Sequence, residues 1–244
     1  MNAGMARPSW TKGPRQTLFI LLGTLLIGCN QRPVPPKRYH TDASNQASLP
    51  DCFMLYQDLF RADSVDLESL GRFALTTSTI GHLEIRSQRL MVGDPVILHD
   101  LAPLALPIPN GYHPIDLVEV ANPKHIGHRM NALIRLRLND DPPENWKFAS
   151  TDSLLMDTAD VRSDNFHGFS VDAGSALLFD ARHQKRLLDL DFDRLWTDST
   201  NVNPDVFSFS TNGDGRFPAY WGFNEQGEPC QLIIDLLVVR CRCT

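Results

Sequence analysis

The feature that most constrains this chain is a regular alternation of apolar and polar side chains from Met130 to Leu138. Met130, Ala132, Ile134, Leu136 and Leu138 fall on one face, Asn131, Arg135 and Arg137 fall on the other, and Leu133 alone interrupts the pattern. Successive side chains of a β-strand point to opposite sides of a sheet, so this segment predicts a half-buried strand. A helix would scatter the same apolar residues around its circumference.

Further segments have the same character, through alternation or through continuous apolar runs. They are Thr79–Ile85, Arg89–Val92, Gly111–Val120, Val206–Ser210, Phe217–Phe223 and Gln231–Val239. We expect Phe217, Ala219, Trp221 and Phe223 to line one face of their strand. The last segment is apolar on both faces except at Asp235, which is the pattern of a central strand.

Helical spacing is confined to short stretches. Residues 51–74 favour two short helices broken near Asp63 and Ser64, and Asp180–Trp196 favours a third. Together these segments predict an α+β fold, mainly antiparallel β-sheet and sandwich-like, with two or three flanking helices.

The first 28 residues have the features of an export signal. Arg7, Lys12 and Arg15 form a cationic region, and a twelve-residue apolar run from Thr17 to Gly28 follows. That run is shorter than the ~20 residues a membrane-spanning helix needs, but it suits the core of a signal peptide. It ends in Leu-Ile-Gly-Cys, which resembles the bacterial lipobox and implies that Cys29 is acylated after cleavage.

Residues 29–50 combine the acylated cysteine with a proline-rich, polar stretch that we expect to act as a tether. Asn30 follows Cys29 where an aspartate would favour the inner membrane, so the resemblance to Gram-negative lipoproteins implies the outer membrane, facing the periplasm. Residues 51–244 then form a single globular domain, long enough to bury a core.

Charge restricts the partners of this domain. Removing the signal leaves 20 basic residues against 29 acidic ones, a net charge of −9. An acidic domain without a basic stripe argues against nucleic acid. The expected contacts are therefore the membrane, through the lipid, and a protein or other component of the cell envelope.

Four cysteines remain besides Cys29: Cys52, Cys230, Cys241 and Cys243. In an exported protein they predict disulfides, and three pairings are possible. We favour a bridge from Cys52 to one of the C-terminal cysteines. A metal site at Cys241 and Cys243 is the alternative, although oxidising compartments disfavour thiolate ligands, and we expect no metal or cofactor.

Seven motifs together resemble one bacterial family, the domain of unknown function 4241, over about Thr76 to Leu236. They are DP at 94–95, GYHPIDLVEV at 111–120, RMNALIRLRL at 129–138, WKFA at 146–149, VDAGSALLFD at 171–180, NGDGRFPAYWGF at 212–223 and LIIDL at 232–236. The resemblance implies a domain whose activity is unassigned. The motif residues that we expect to be structural are Asp94, Gly111, Gly174, Gly213, Gly215, Tyr220, Trp221 and Asp235.

The acids within these motifs allow three interpretations. Asp172, Asp180 and Asp214 are candidate catalytic residues, because carboxylates that lie close together have different pKa values and can act as general acid and base. They could instead bind a hard cation such as Ca²⁺ through their oxygens. In the third interpretation each acid caps a turn, as Asp94 would before Pro95. Asp235, inside an apolar run, needs a partner if it is buried, and Arg135, Arg137 and Lys147 are the candidates.

Other patterns are weaker. The glycine-flanked Asp214 resembles a calcium loop, but the later ligand positions are absent, so a tight turn is the better interpretation. His125 and His128 lie in a loop without a third metal ligand, and Ser175 lacks the glycines of a nucleophile elbow. The sequence therefore favours a membrane-anchored binding domain in the envelope, with a hydrolase-like enzyme that uses the aspartates as the alternative.

Overall fold

Two antiparallel β-sheets packed face to face form the body of the protein, as seen in a computed structural model that describes residues 56–67, 71–121, 127–158, 167–190 and 200–239. The predicted signal peptide, the tether, Cys52, His125, Cys241 and Cys243 lie outside these residues. The α+β, sandwich-like class predicted from the alternation is confirmed.

Twelve strands build the two sheets of the described residues. In chain order they are β1 Ser64–Leu67, β2 Gly71–Ile85, β3 Leu90–Gly93, β4 Gly111–Ala121, β5 Arg129–Arg137, β6 Asn145–Phe148, β7 Gly168–Val171, β8 Ser175–Asp180, β9 Asn201–Val202, β10 Val206–Ser210, β11 Gly215–Phe223 and β12 Pro229–Asp235. The large sheet has the order β1-β2-β4-β5-β12-β11-β6, with β7 also paired to β11. The small sheet has the order β3-β8-β10-β9.

The two strands that the sequence marks most clearly lie at the centre of the large sheet. The alternating segment is β5, and β12 lies between β5 and β11 with its apolar residues buried on both faces. Gln231 to Asp235 pair with Arg137 to Leu133. A strand covered on both faces needs apolar side chains at nearly every position, which explains the composition of β12.

The main core fills the space between the two sheets. The large sheet contributes Phe217, Ala219, Trp221 and Phe223, as the sequence predicted, together with Ile134 and Leu136 of β5. The small sheet contributes Ala176, Leu178, Phe207 and Phe209. Trp221 is completely buried, and interdigitating aromatic rings of this size account for much of the apolar area removed from water.

Two further apolar clusters cover the outer faces of the sheets. On the large sheet, Tyr56, Leu59 and Phe60 pack over Leu133 and Ile233. On the small sheet, the cluster contains Met91, Leu98, Leu177, Phe179 and Leu187. Both sheets are therefore buried on two sides over part of their area.

Helices are short. Residues 56–59 are helical, α1 is Ser153–Thr158 and α2 is Gln184–Leu188, and single 3-10 turns occupy Pro95–Ile97 and Ala181–His183. None of the helices in the described part of the chain has the length and apolar character needed to cross a membrane.

Two helix predictions need correction. The second short helix within residues 51–74 is wrong, because Ser64–Leu67 is strand β1 and forms a hairpin with the first residues of β2. The predicted helix Asp180–Trp196 is reduced to residues 184–188 within the described part, since Asp180 is the last residue of β8 and caps the following 3-10 turn. Residues 191–199 lie outside the described residues.

The last predicted strand ends earlier than Val239. The carboxylate of Asp235 accepts the backbone N–H of Leu237 at 2.8 Å, and Leu237 has a φ of +58°. This side-chain turn, of the kind that aspartate favours, bends the chain out of the sheet after Asp235.

Candidate functional site

The predicted acids Asp94 and Asp214 hold the turn between β7 and β8. Asp94 is 2% exposed and its carboxylate accepts the N–H groups of Asp172 and Ala173, the second at 3.0 Å, while its other oxygen accepts Val96 N–H at 2.7 Å. Asp214 accepts the N–H of Gly174 at 3.1 Å. These contacts use the carboxylates to satisfy backbone donors that would otherwise have no partner.

Glycines allow the backbone of these two turns. Gly174 has a φ of +63° and Gly213 a φ of +135°, conformations that residues with a Cβ rarely adopt. The predicted turn from Asn212 to Gly215 is therefore present, and it carries the chain from β10 in the small sheet to β11 in the large sheet.

Asp180 lies apart from the other candidate catalytic acids. It ends β8, whereas Asp172 and Asp214 lie at the beginning of that strand, roughly 17 Å away at about 3.3 Å per residue. Its buried carboxylate accepts the N–H groups of Ser87 at 2.9 Å and Arg182 at 2.9 Å, that of Arg86, and the Ser87 hydroxyl. The structure does not bring Asp172, Asp180 and Asp214 into one cleft.

The environment of Asp180 keeps it charged. Burial, the largest effect, would raise the pKa of the carboxyl, but the hydrogen bonds from Arg86, Ser87 and Arg182 outweigh burial and lower the pKa. Asp180 therefore stabilises the turn after β2 and the turn after β8 as a carboxylate.

Beside Asp180 lies a charged cluster that the sequence analysis missed. Glu84 is 7% exposed, and its two oxygens contact Arg86 and Arg182. A hydrogen bond with Tyr112, followed by those with Arg86 and Arg182, lowers the pKa of Glu84 to about 2. The sequence shows an acid between Leu83 and Ile85, but it does not show that Arg182, in the 3-10 turn after β8, lies beside that acid.

A second missed acid is Asp116 on β4, which holds two arginines of β5. Its Oδ2 accepts hydrogen bonds from two nitrogens of Arg135, Nε at 3.0 Å and Nη2 at 2.7 Å. The same oxygen lies 2.9 Å from Arg137 Nε. Thr79 donates to Oδ1 at 2.6 Å. Burial opposes ionisation, but the Thr79 hydroxyl and the two arginines outweigh it and lower the pKa of Asp116.

The sequence analysis suggested Arg135 and Arg137 as partners of Asp235, but in the structure both arginines pair with Asp116. Asp235 is 3% exposed and accepts the hydroxyl of Tyr56 at 2.6 Å. The third candidate partner, Lys147, has its Nζ 5.7 Å from the centroid of the Phe223 ring. Asp235 is buried and has hydrogen-bond partners, the Tyr56 hydroxyl and the Leu237 N–H, but the expected ion pair with Arg135 or Arg137 is wrong.

A cleft of about 370 Å³ opens beside this ion pair on the outer face of the large sheet. We call it the arginine cleft; it is lined by Gln57, Arg61, Arg135, Arg137, Gln231 and the loop 139–143. The guanidinium carbon of Arg135 lies 4.1 Å from the centroid of the Phe60 ring, which holds the side chain in place.

A larger cleft, of about 500 Å³, lies over β5 and the turn after β10. Here the side-chain amide of Asn212 binds the backbone of Asn131, accepting its N–H at 3.2 Å and donating to its C=O at 2.7 Å. Asn131 in turn donates to Thr200 at 2.8 Å and to the carbonyl of Ser210 at 3.0 Å. The side-chain amides of Asn131 and Asn212 thus have hydrogen-bond partners within the protein. We interpret this cleft as the place where the turn after β10 is attached to β5.

Cys230 carries a free thiol, which corrects its place among the disulfide candidates. The residue is fully buried in β12, its Sγ donates to the carbonyl of Gly222 at 3.3 Å, and burial raises the pKa of the thiol to about 11. The other three candidates lie outside the described residues.

The remaining motif residues have structural positions. Gly111 begins β4, Tyr220 packs with the outer cluster of the large sheet, and Ser175 is 1% exposed within β8. His128 is exposed. Among the described residues, no three His, Cys, Asp or Glu side chains lie close enough together to hold a metal ion.

Fold and surface together define an antiparallel β-sandwich domain with a polar, arginine-lined cleft on the outside of its larger sheet. The chain belongs to the family described as protein of unknown function (DUF4241), whose model matches residues 83–208. The motifs at 212–223 and 232–236 lie beyond the matched range. Comparisons with curated proteins and with solved structures gave no match.

Proposed function

We propose that this protein is an exported lipoprotein that displays a binding domain on the outer membrane, facing the periplasm. The observation that carries the anchor is the ordered series of cationic residues, a twelve-residue apolar run and Cys29 directly after Gly28. Each buried methylene of an acyl chain contributes about 0.8 kcal/mol, so several chains on one cysteine give stable attachment.

The choice of a binding domain over an enzyme rests on what the acidic residues do. Asp94 and Asp180 are buried and saturated by backbone donors, and Asp214 binds the N–H of Gly174. Asp172 and Asp214 are exposed at one end of β8 and Asp180 lies at the other. Stabilising turns accounts for these carboxylates without a reaction.

Fractionation of cells that express the full chain tests the anchor. Cys29→Ala should leave the membrane fraction, because the chain then has no acylated residue. Asn30→Asp should stay lipidated and move from the outer to the inner membrane, whereas Asn45→Asp in the tether is a matched control and should change nothing. Unaltered membrane partitioning of Cys29→Ala would refute the lipoprotein assignment.

Crosslinking in permeabilised cells that express a tagged full-length chain tests the binding role. The full-length chain should yield a defined envelope adduct, and an excess of the unlabelled Cys29→Ala chain added to permeabilised cells should compete it away. A pattern of adducts that the competitor leaves unchanged would contradict a specific binding domain.

A further inference from the structure

The arginine cleft lies on the outer face of β5 and β12, whose residues pair in a continuous antiparallel register. Arg137 lies opposite Gln231, and Arg135 lies opposite Ile233. Residues directly opposite in an antiparallel pair share a face, so Arg135, Arg137 and Gln231 point to the same side. Gln57 and Arg61, from the segment that covers this face, complete the wall.

Three buried N–H donors on residues that line the cleft have no acceptor among the described residues. Gln231 is 5% exposed, and its Nε2 has no hydrogen-bond partner among the described residues; the same holds for Gln57 Nε2. Arg137 Nε is 2.9 Å from Asp116 Oδ2, yet its N–H does not point along a hydrogen bond to that oxygen. A buried donor without an acceptor is destabilising, so a ligand that accepts from it removes that cost.

The lining of the cleft contains three arginines, Arg61, Arg135 and Arg137, against two aspartates, Asp140 and Asp141. Asp116 neutralises one of the two β5 arginines, and Arg61 is exposed at the rim. Asp140 contacts Arg137 at 3.3 Å, but its side chain is 94% exposed and its charge is screened by solvent. The other acid of the lining, Asp141, accepts the amide of Asn224 at 2.8 Å.

A glycine in the sheet makes room for the floor of the cleft. Gly222 pairs with Gln231 on the neighbouring strand, and a Cβ on Gly222 would lie 3.0 Å from Gln231 Cγ and 2.8 Å from Pro143 Cβ. With no side chain at this position, Gln231 and Pro143 lie close against the strand. A side chain at position 222 would therefore displace Gln231 or Pro143, both of which line the cleft.

We propose that the arginine cleft binds an oxyanion group, a carboxylate or a phosphate, of an envelope ligand. The ligand offers acceptor oxygens, which are what the unpaired amide and guanidinium N–H groups require, and planar guanidinium groups bind both anions in bidentate fashion. The volume of about 370 Å³ suits a small charged group together with the ligand atoms bonded next to it. This inference rests on the proposed binding function and adds the chemical class of the ligand.

Calorimetric titration of the full-length chain with inorganic phosphate and, separately, with glutarate tests the proposal. Ionic strength is held near 0.15 M with sodium chloride, so that non-specific screening is constant. We expect saturable one-site binding of at least one anion. Preference for phosphate identifies a phosphate-bearing ligand, and preference for glutarate identifies a carboxylate-bearing one.

Variants separate the cleft from the rest of the surface. Gln231→Met keeps the approximate shape of the side chain and removes an amide N–H that has no partner among the described residues. It should weaken binding at least tenfold without loss of stability. Arg61→Gln should weaken binding as well. Arg89→Gln removes an exposed arginine next to the small sheet and should leave the affinity unchanged.

Two results would overturn the proposal: no saturable binding of either anion, or an equal loss of binding in Gln231→Met, Arg61→Gln and Arg89→Gln. Neither result affects the fractionation or crosslinking tests of the proposed function, so either one rejects the oxyanion site alone. A loss of membrane attachment in fractionation would, conversely, reject the proposed function without altering the titration.

Discussion

Replacing Asp116 with asparagine is the sharpest test of the electrostatics on the outer face of the large sheet. The substitution keeps the shape of the side chain and removes its charge. Arg135 and Arg137 then lose their shared counter-ion, and their side chains are only 19% and 30% exposed. Water can therefore replace the carboxylate only in part.

The size of the effect follows from this burial. Removing one partner of a buried ion pair costs about 3–5 kcal/mol, and the partial exposure of the arginines places the loss in the free energy of unfolding near 3 kcal/mol. Asp140→Asn is a matched control, because its carboxylate also contacts Arg137 but is exposed. An exposed pair contributes roughly 0–1 kcal/mol, so the control should be nearly neutral.

The loss should depend on pH with a definite sign. The folded-state pKa of Asp116 is lowered, so its contribution is present above the unfolded value of about 3.9 and disappears as the pH falls through the folded pKa. Urea unfolding followed by tryptophan fluorescence should show the full deficit at about pH 7 and a smaller one at about pH 3. A deficit below about 1 kcal/mol at neutral pH, or one that acid leaves unchanged, would refute the ion-pair argument.

Two other predictions concern the interior. Gly168→Ala should destabilise the fold by at least about 2 kcal/mol, because the new Cβ would lie 2.2 Å from the backbone oxygen of Phe217, which cannot move aside. Gly215→Ala is the control, because its new Cβ would meet only the Phe217 ring, at 3.5 Å. Its thermal unfolding temperature should be well above that of Gly168→Ala, and the reverse order would contradict the packing argument. Cys230 should resist iodoacetamide in the folded protein and react after denaturation, because burial and a thiol pKa of about 11 keep it protonated; equal labelling of its peptide by mass spectrometry in both states would show that the site opens.

The sequence predicted those strands whose buried faces can be recognised from the pattern of apolar residues within the strand itself. β5 was recognisable because its alternating pattern reflects the burial of one face. β12 was recognisable because its continuous apolar run reflects the burial of both faces. Ser64–Leu67 was misassigned to a helix because four residues fit either period, and the choice was made by the hairpin partner in β2. Short segments take their structure from such neighbours.

The candidate site was less predictable, because it depends on which residues lie opposite one another. Arg135 and Arg137 were expected to pair with Asp235, but the register of β4 against β5 gives them Asp116 and leaves Asp235 to Tyr56. The glutamines of the arginine cleft carry no sequence signal. Gln57 and Gln231 are 174 positions apart and meet only through the folded chain.

The position of β12 also has a consequence for biosynthesis. The strand lies in the interior of the large sheet, and Asp235 is bonded to Tyr56 across 179 positions of the chain. Neither β5 nor β11 can complete its pairing until residues 229–235 have emerged from the ribosome. Contacts of such long range form slowly, so the growing polypeptide stays unfolded for longer than a chain of local hairpins would. This late folding is compatible with the proposed export, because a translocation channel passes only unfolded polypeptide.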